Sequence, residues 1–249
     1  MGSMRRLETT GELRWIPAFA EPELTRMDGS RVVLAGDLLP GGFDAYAKIF
    51  HPIHEDLGCE DEELLWEEPW EDRYGRGRAD QPFAARGLKW HDLALELDVE
   101  FGPGIHLSDF LEALPRGRWP RRLIGPEDGD LDVDTVHHLM RLLGPHTGEA
   151  FCLHYWPASR SHEGKDLLIE APLDSLLSLH ADPRAESSPT AFWPRGRAWL
   201  LLSHPELPFS LLACSGSLLA DLLRDKPLDG IEIALTTELQ HRSSRDAGS

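Results

Sequence analysis

No stretch of this 249-residue chain approaches the ~20 consecutive apolar residues that a membrane-spanning helix needs, so such a helix is excluded. Cysteine is scarce. Cys59, Cys152 and Cys214 cannot staple a chain of this length, which excludes a disulfide scaffold. Lysine is limited to Lys48, Lys89, Lys165 and Lys226, and Lys plus Arg reach 25 against 43 Asp plus Glu. The formal net charge of −18 repels phosphate backbones on average, so nucleic acid is not an expected partner. Standard phosphate loops of the G-x-x-x-x-G-K-[ST] or G-x-G-x-x-G type are missing, and no cofactor is expected. An apolar leader segment is missing as well, and Met1-Gly2-Ser3 ahead of Met4 reads as an expression-vector remnant. With three isolated cysteines, the expectation is a cytoplasmic protein. What the chain does have is 41% hydrophobic residues and eight tryptophans, which exclude a collagen-like or wholly disordered polymer.

Along the chain, Leu13–Ile16 and Val32–Leu34 read as short strands, with turn residues at Met27-Asp28-Gly29-Ser30. Over Phe43–Phe50 the apolar spacing fits helix and strand equally. Helices are expected over 88–97, after an N-cap at Ser108 with a stop at Pro115, and over 133–143 with Gly144-Pro145 as terminator. Residues 133, 136, 140 and 143 would form the apolar face of that last helix. The period then shifts toward two. Strands are expected over 151–156, 167–170, 176–180, 198–203, 209–214 and 231–235, with Ser217 capping a helix over 218–223. Strands and helices without regular βαβ alternation point to an α+β fold, with a mostly antiparallel sheet in the C-terminal half, packed helices, and a smaller N-terminal strand and helix region. The expected organisation is one domain over 5–249, divisible into 5–54 plus 87–130 and a sheet part at 131–240.

Residues 55–72 hold ten acids and no base, with Trp66 and Trp70 among them; residues 73–86 then turn basic and glycine-rich. Segment 55–86 reads as a long acidic insertion or loop, and loops of that length are usually functional or disordered.

Three segments carry a family resemblance: Pro40–Pro52 (PGGFDAYAKIFHP), Phe192–Trp199 (FWPRGRAW), and Ser215–Leu223 with Leu228–Ile231. On these the chain resembles an uncharacterised family of bacterial, chiefly actinobacterial, cytoplasmic proteins. The resemblance covers about half the chain. That family has no established activity, so no catalytic residue is implied, and the acidic insertion departs from its pattern.

His51, His54 and Cys59 form H-x2-H-x4-C, donors that zinc accepts, but no second ligand pair accompanies them. Cys214-Ser215-Gly216-Ser217 sits between a strand and a helix without the G-x-S-x-G pattern, so a helix cap is the simpler role. Arg116, Arg118, Arg121 and Arg122 with Trp119 are expected to pair with the chain's own acids. The leading expectation is a non-enzymatic protein-binding module, of inhibitor, immunity or regulatory kind. Trp66, Trp70, Glu62, Glu63, Glu67 and Glu68 would face a basic protein partner, because tryptophan anchors interfaces and charge complementarity speeds association. Two alternatives are a metal-dependent hydrolase using His51, His54 and nearby acids, and a structural homodimer with its tryptophans at the self-interface.

Overall fold

The computed structural model describes residues 4–9, 11–20, 32–57, 85–114, 117, 119–120, 122–126, 128–148, 151–182, 184 and 188–239. The chain divides into two compact units, a large one from residues 1–51 and 127–249 and a small one from residues 52–126. The large unit begins with β1 (Arg5–Leu7), α1 (Pro17–Ala20), α2 (Ala35–Leu38) and β2 (Ala45–Phe50). The small unit holds β3 (Ile53–Asp56), β4 (Ala85–Leu88), α3 (Trp90–Leu97), α4 (Leu107–Ala113) and β5 (Leu123–Ile124). The large unit resumes with α5 (Val133–Thr147), β6 (Cys152–Trp156), β7 (Leu167–Ala171), α6 (Leu176–His180), β8 (Ala191–Pro194), β9 (Leu200–Leu202), β10 (Phe209–Cys214), α7 (Gly216–Arg224) and β11 (Asp229–Ile233).

The fold is α+β, dominated by an antiparallel eight-stranded sheet in the order β1-β7-β6-β8-β9-β10-β2-β11. Strands β6 to β11 come from the C-terminal half, and β1 and β2 join them from the N-terminal region. Alternate residues of a strand face opposite sides. Ala45, Ala47 and Ile49 of β2 share one face with Leu212 and Cys214 of β10. That face packs on Val136, Leu139 and Leu143 of α5 and Leu218 and Leu222 of α7. Each such side chain contributes ~1.5–3 kcal/mol on full burial. Polar contacts fasten the two helices together: His146 Nε2 lies 2.8 Å from Asp221, and Arg141 lies 3.3 Å from Asp225. Toward the β6–β8 end the opposite face is also covered, where Trp15 meets Trp193 edge-on at 5.9 Å and Phe19 meets Tyr155 at 4.7 Å. Burial on both faces accounts for the near-continuous apolar runs of β2 and β10.

The small unit is a three-stranded sheet, β4-β3-β5, with α3 and α4. Its core includes Trp90 against Phe110, edge-on at 5.4 Å, with Trp119 and Leu123 buried. Among the described residues no helix is long and apolar enough to cross a membrane.

Several local expectations are corrected. Leu13–Ile16 is a turn leading into α1, whose first residue is Pro17, a position where the missing N–H costs nothing. Of Val32–Leu34, only Leu34 makes a bridge, to Glu238. Phe43–Phe50 resolves as strand because β2 pairs with both β10 and β11. Helix α4 is capped at His106, whose N–H donates to the Asp109 carboxylate at 2.8 Å, and Ser108 lies inside the helix. Helix α5 runs through Gly144-Pro145 and stops at Gly148, which takes a left-handed φ of 66°. Val133 is exposed rather than part of the apolar face of α5. Residues 176–180 are helical, entered from a 3-10 turn over Leu173–Ser175. Ser215, with extended backbone, caps α7 by accepting from Leu218 N–H, and Ser217 lies within the helix. The segment 55–86 is regular at both ends, because Glu55 and Asp56 belong to β3 and Ala85 and Arg86 to β4.

Candidate functional site

In the small unit, β3 and β4 pair in the register Ile53↔Leu88 to Asp56↔Ala85. The acidic segment therefore leaves and re-enters the sheet at one paired rung. Trp66, Trp70, Glu62, Glu63, Glu67, Glu68 and Cys59 lie outside the described residues. Glu55, the first acid of the run, is described and largely buried. It accepts hydrogen bonds from Arg86 of β4 and, at 2.7 Å, from Arg122 beside β5. Arg122 also reaches Glu96 of α3 at 3.3 Å. The expected pairing of arginines with the protein's own acids thus holds for Arg122. Trp119 is buried and belongs to the core, not to a basic face. Arg116, Arg118 and Arg121 lie outside the described residues.

His51 and His54 have separate settings. His51 closes β2 in the large unit and is buried, with Nε2 2.9 Å from Ser210 Oγ. Ser210 Oγ in turn lies 2.6 Å from the buried Ser203 Oγ. This chain of polar groups lies inside the protein. His54 is half-buried in β3 of the small unit. Among the described residues no three His, Cys, Asp or Glu side chains converge to hold a metal ion.

A cleft of about 330 Å³ opens on the large unit where three distant segments meet. Trp15 and Phe43 form its aromatic wall, with ring centroids 6.5 Å apart. Gly41 and Gly42 border open space, since a Cβ at either position would meet no atom within 4 Å. The tight β8–β9 turn, closed by Arg197 N–H donating to Pro194 O at 2.8 Å, contributes Arg197 and Ala198. Arg197 holds a left-handed φ of 55°, uncommon for a residue with a Cβ. Its guanidinium lies 4.6 Å from the centroid of the Trp15 ring, a cation–π contact. Its neighbour Arg195 is instead bound to Glu170.

No family model, curated protein or solved structure matches this chain.

The remaining cleft residues are Asp44, Cys214 and Ser215. Asp44 is exposed at the entry to β2. Burial, with a smaller push from Asp44, raises the Cys214 thiol to about 12, so the sulfur stays protonated and unreactive near neutral pH. Ser215 Oγ accepts from Leu218 N–H, capping α7, and lies 3.0 Å from Ser217 Oγ. The arrangement presents one cation, one anion and an aromatic wall. Residue spacing could not reveal the cleft, because its parts are separated by most of the chain. The one local signal was Pro194-Arg195-Gly196-Arg197, a turn with two cations.

Proposed function

We propose that this protein is a binding module that presents the acidic, indole-bearing segment following β3 to a basic protein partner. The observation that supports this reading is the closed base of the segment. Asp56 and Ala85 pair between β3 and β4, and Arg86 and Arg122 both bind Glu55. A rigid base lowers the entropic cost of presenting a binding segment. The acids from Glu60 to Asp72 keep their number against the four arginines of 73–86, one of which, Arg86, is already engaged by Glu55. Opposed charge on a partner would speed encounter, and the indoles of Trp66 and Trp70 would supply short-range affinity.

The test is affinity capture by the full chain at low ionic strength, with proteins identified by mass spectrometry. One comparison is Trp66→Ala/Trp70→Ala; the other is Glu62→Gln/Glu63→Gln/Glu67→Gln/Glu68→Gln. The expected result is a basic protein retained by the wild type, lost by at least tenfold from both variants, and released as salt rises toward about 0.5 M. Capture of no basic protein, or equal retention by the variants, overturns the reading.

A further inference from the structure

We propose that the Trp15–Arg197 cleft binds a small zwitterion of the α-amino-acid type, its carboxylate taken by Arg197, its ammonium by Asp44 and its side chain by the wall of Trp15 and Phe43. This site is separate from the acidic segment and does not depend on the protein-binding reading. The inference starts from an imbalance of charges. Asp44 and Arg197 line the same cavity, carry opposite charges, and among the described residues form no ion pair with each other or with any other side chain. Arg195, two residues away in the same turn, does find a carboxylate.

Backbone geometry points the same way. Holding a non-glycine residue at a φ of 55° costs on the order of 1 kcal/mol. Gly196 sits one residue earlier in this turn, yet the left-handed position is occupied by arginine. The side chain placed there stands over Trp15, at the edge of the cleft. An exposed cation–π contact contributes only ~0.5–1 kcal/mol, so a ligand carboxylate can recruit the guanidinium without a large penalty. A ligand that was only anionic would meet Asp44, and one that was only cationic would meet Arg197. A molecule carrying both charges satisfies both.

Size and chemistry narrow the class further. A volume of about 330 Å³ is at the small end of ligand pockets, which run on the order of 300–1,000 Å³. That volume matches one amino acid. The open backbone at Gly41 and Gly42 leaves room along the wall beside Phe43. The protonated Cys214 thiol and the capped Ser215 hydroxyl make this a site of reversible binding, not of covalent chemistry.

The experiment is isothermal titration of the full chain with L-phenylalanine and L-leucine up to about 10 mM. N-acetyl-L-phenylalanine lacks the ammonium, and L-phenylalaninamide lacks the carboxylate. Asp44→Asn and Arg197→Gly are the variants; glycine suits the left-handed backbone, and both positions are exposed, so the fold is retained, as thermal unfolding will check. The expected result is saturable binding of at least one free amino acid, weakened tenfold or more by each variant and by each blocked derivative. Equal binding of N-acetyl-L-phenylalanine would make this a plain anion site and overturn the proposal, as would equal binding of the amide. It is likewise overturned by no saturable binding of either amino acid, or by affinities that both variants leave unchanged.

Discussion

In the large unit, polar side chains enter the sheet itself: His51 joins Ser210 and Ser203 within the interior, and His154 stacks on Phe192 at 5.7 Å with neither ring nitrogen hydrogen-bonded at good geometry. In the small unit, the described charges stay at the margin, where Glu55, Arg86, Arg122 and Glu96 tie the three strands to α3. Within the sheet of the large unit these polar groups depend on fit and desolvation, which salt hardly touches, while its ion pairs, such as Arg141–Asp225 and Arg195–Glu170, lie outside that interior. The small unit's margin depends on Coulomb attraction, which salt screens.

The sharpest way to break that contrast is steric. Gly129 has a φ of 62°, and a Cβ there would stand 2.4 Å from Pro205 Cα and 2.7 Å from His204 O. Its N–H donates to Leu207 O, and its carbonyl accepts from Arg160. Gly129→Ala should destabilise the large unit by about 3 kcal/mol or more, because backbone must move and hydrogen bonds are lost. Urea unfolding measures this, and a loss below about 1 kcal/mol would show that the β9–β10 turn yields easily.

A middle-sized effect comes from His154. Burial lowers its pKa from 6.5 to about 3, against a smaller opposing pull from the Ala171 backbone. The unfolded chain takes up the proton first on acidification. The neutral ring's contribution is thus complete above pH 6.5 and is lost as pH falls from 6.5 toward 3. Between pH 7 and 5 the wild type should lose on the order of 1–2 kcal/mol through this group. His154→Leu should be free of that component, and thermal unfolding at the two pH values compares them. Parallel acid profiles for the two proteins would count against an uncharged, desolvated ring.

The smallest effect belongs to the small unit. Glu55→Gln should cost about 1 kcal/mol, more than an isolated surface pair because two guanidiniums share a largely buried carboxylate. Salt near 1 M should narrow the difference from wild type. A loss of several kcal/mol that salt leaves untouched would place Glu55 with the buried polar groups of the large unit.

How much was legible in the sequence differs by element. Asp132 and Asp134 ahead of an apolar 3.6-residue period both offered a cap for α5, and the hydrogen bond from Thr135 N–H to the Asp132 side chain decides between them. The end was misread because Pro145 falls in the last turn, where its missing N–H removes one bond and the helix tolerates it. Leu176–His180 is too short for its period to separate helix from strand. For β2 the ambiguity was real, and pairing with strands more than 150 residues later decided it. The choice of Ser215 over Ser217 as cap turned on backbone geometry, which both serines allow in sequence. Composition exposed the acidic run, but not the pairing of Asp56 with Ala85 that closes its base. Apart from the two cations of the β8–β9 turn, the cleft left no trace, because adjacency of Trp15, Asp44 and Arg197 is a product of sheet order.

The sheet order also bears on self-association. Its two outer strands are β1 and β11. The first is three residues long and carries Arg5 and Arg6, bound back to Glu170 and Glu163; the second carries Asp229 and Glu232. Short, charged borders make poor templates for another chain's backbone, and fibrous stacking through either one would have to desolvate those ionic groups. The architecture thereby guards a broad apolar sheet against endless end-to-end growth.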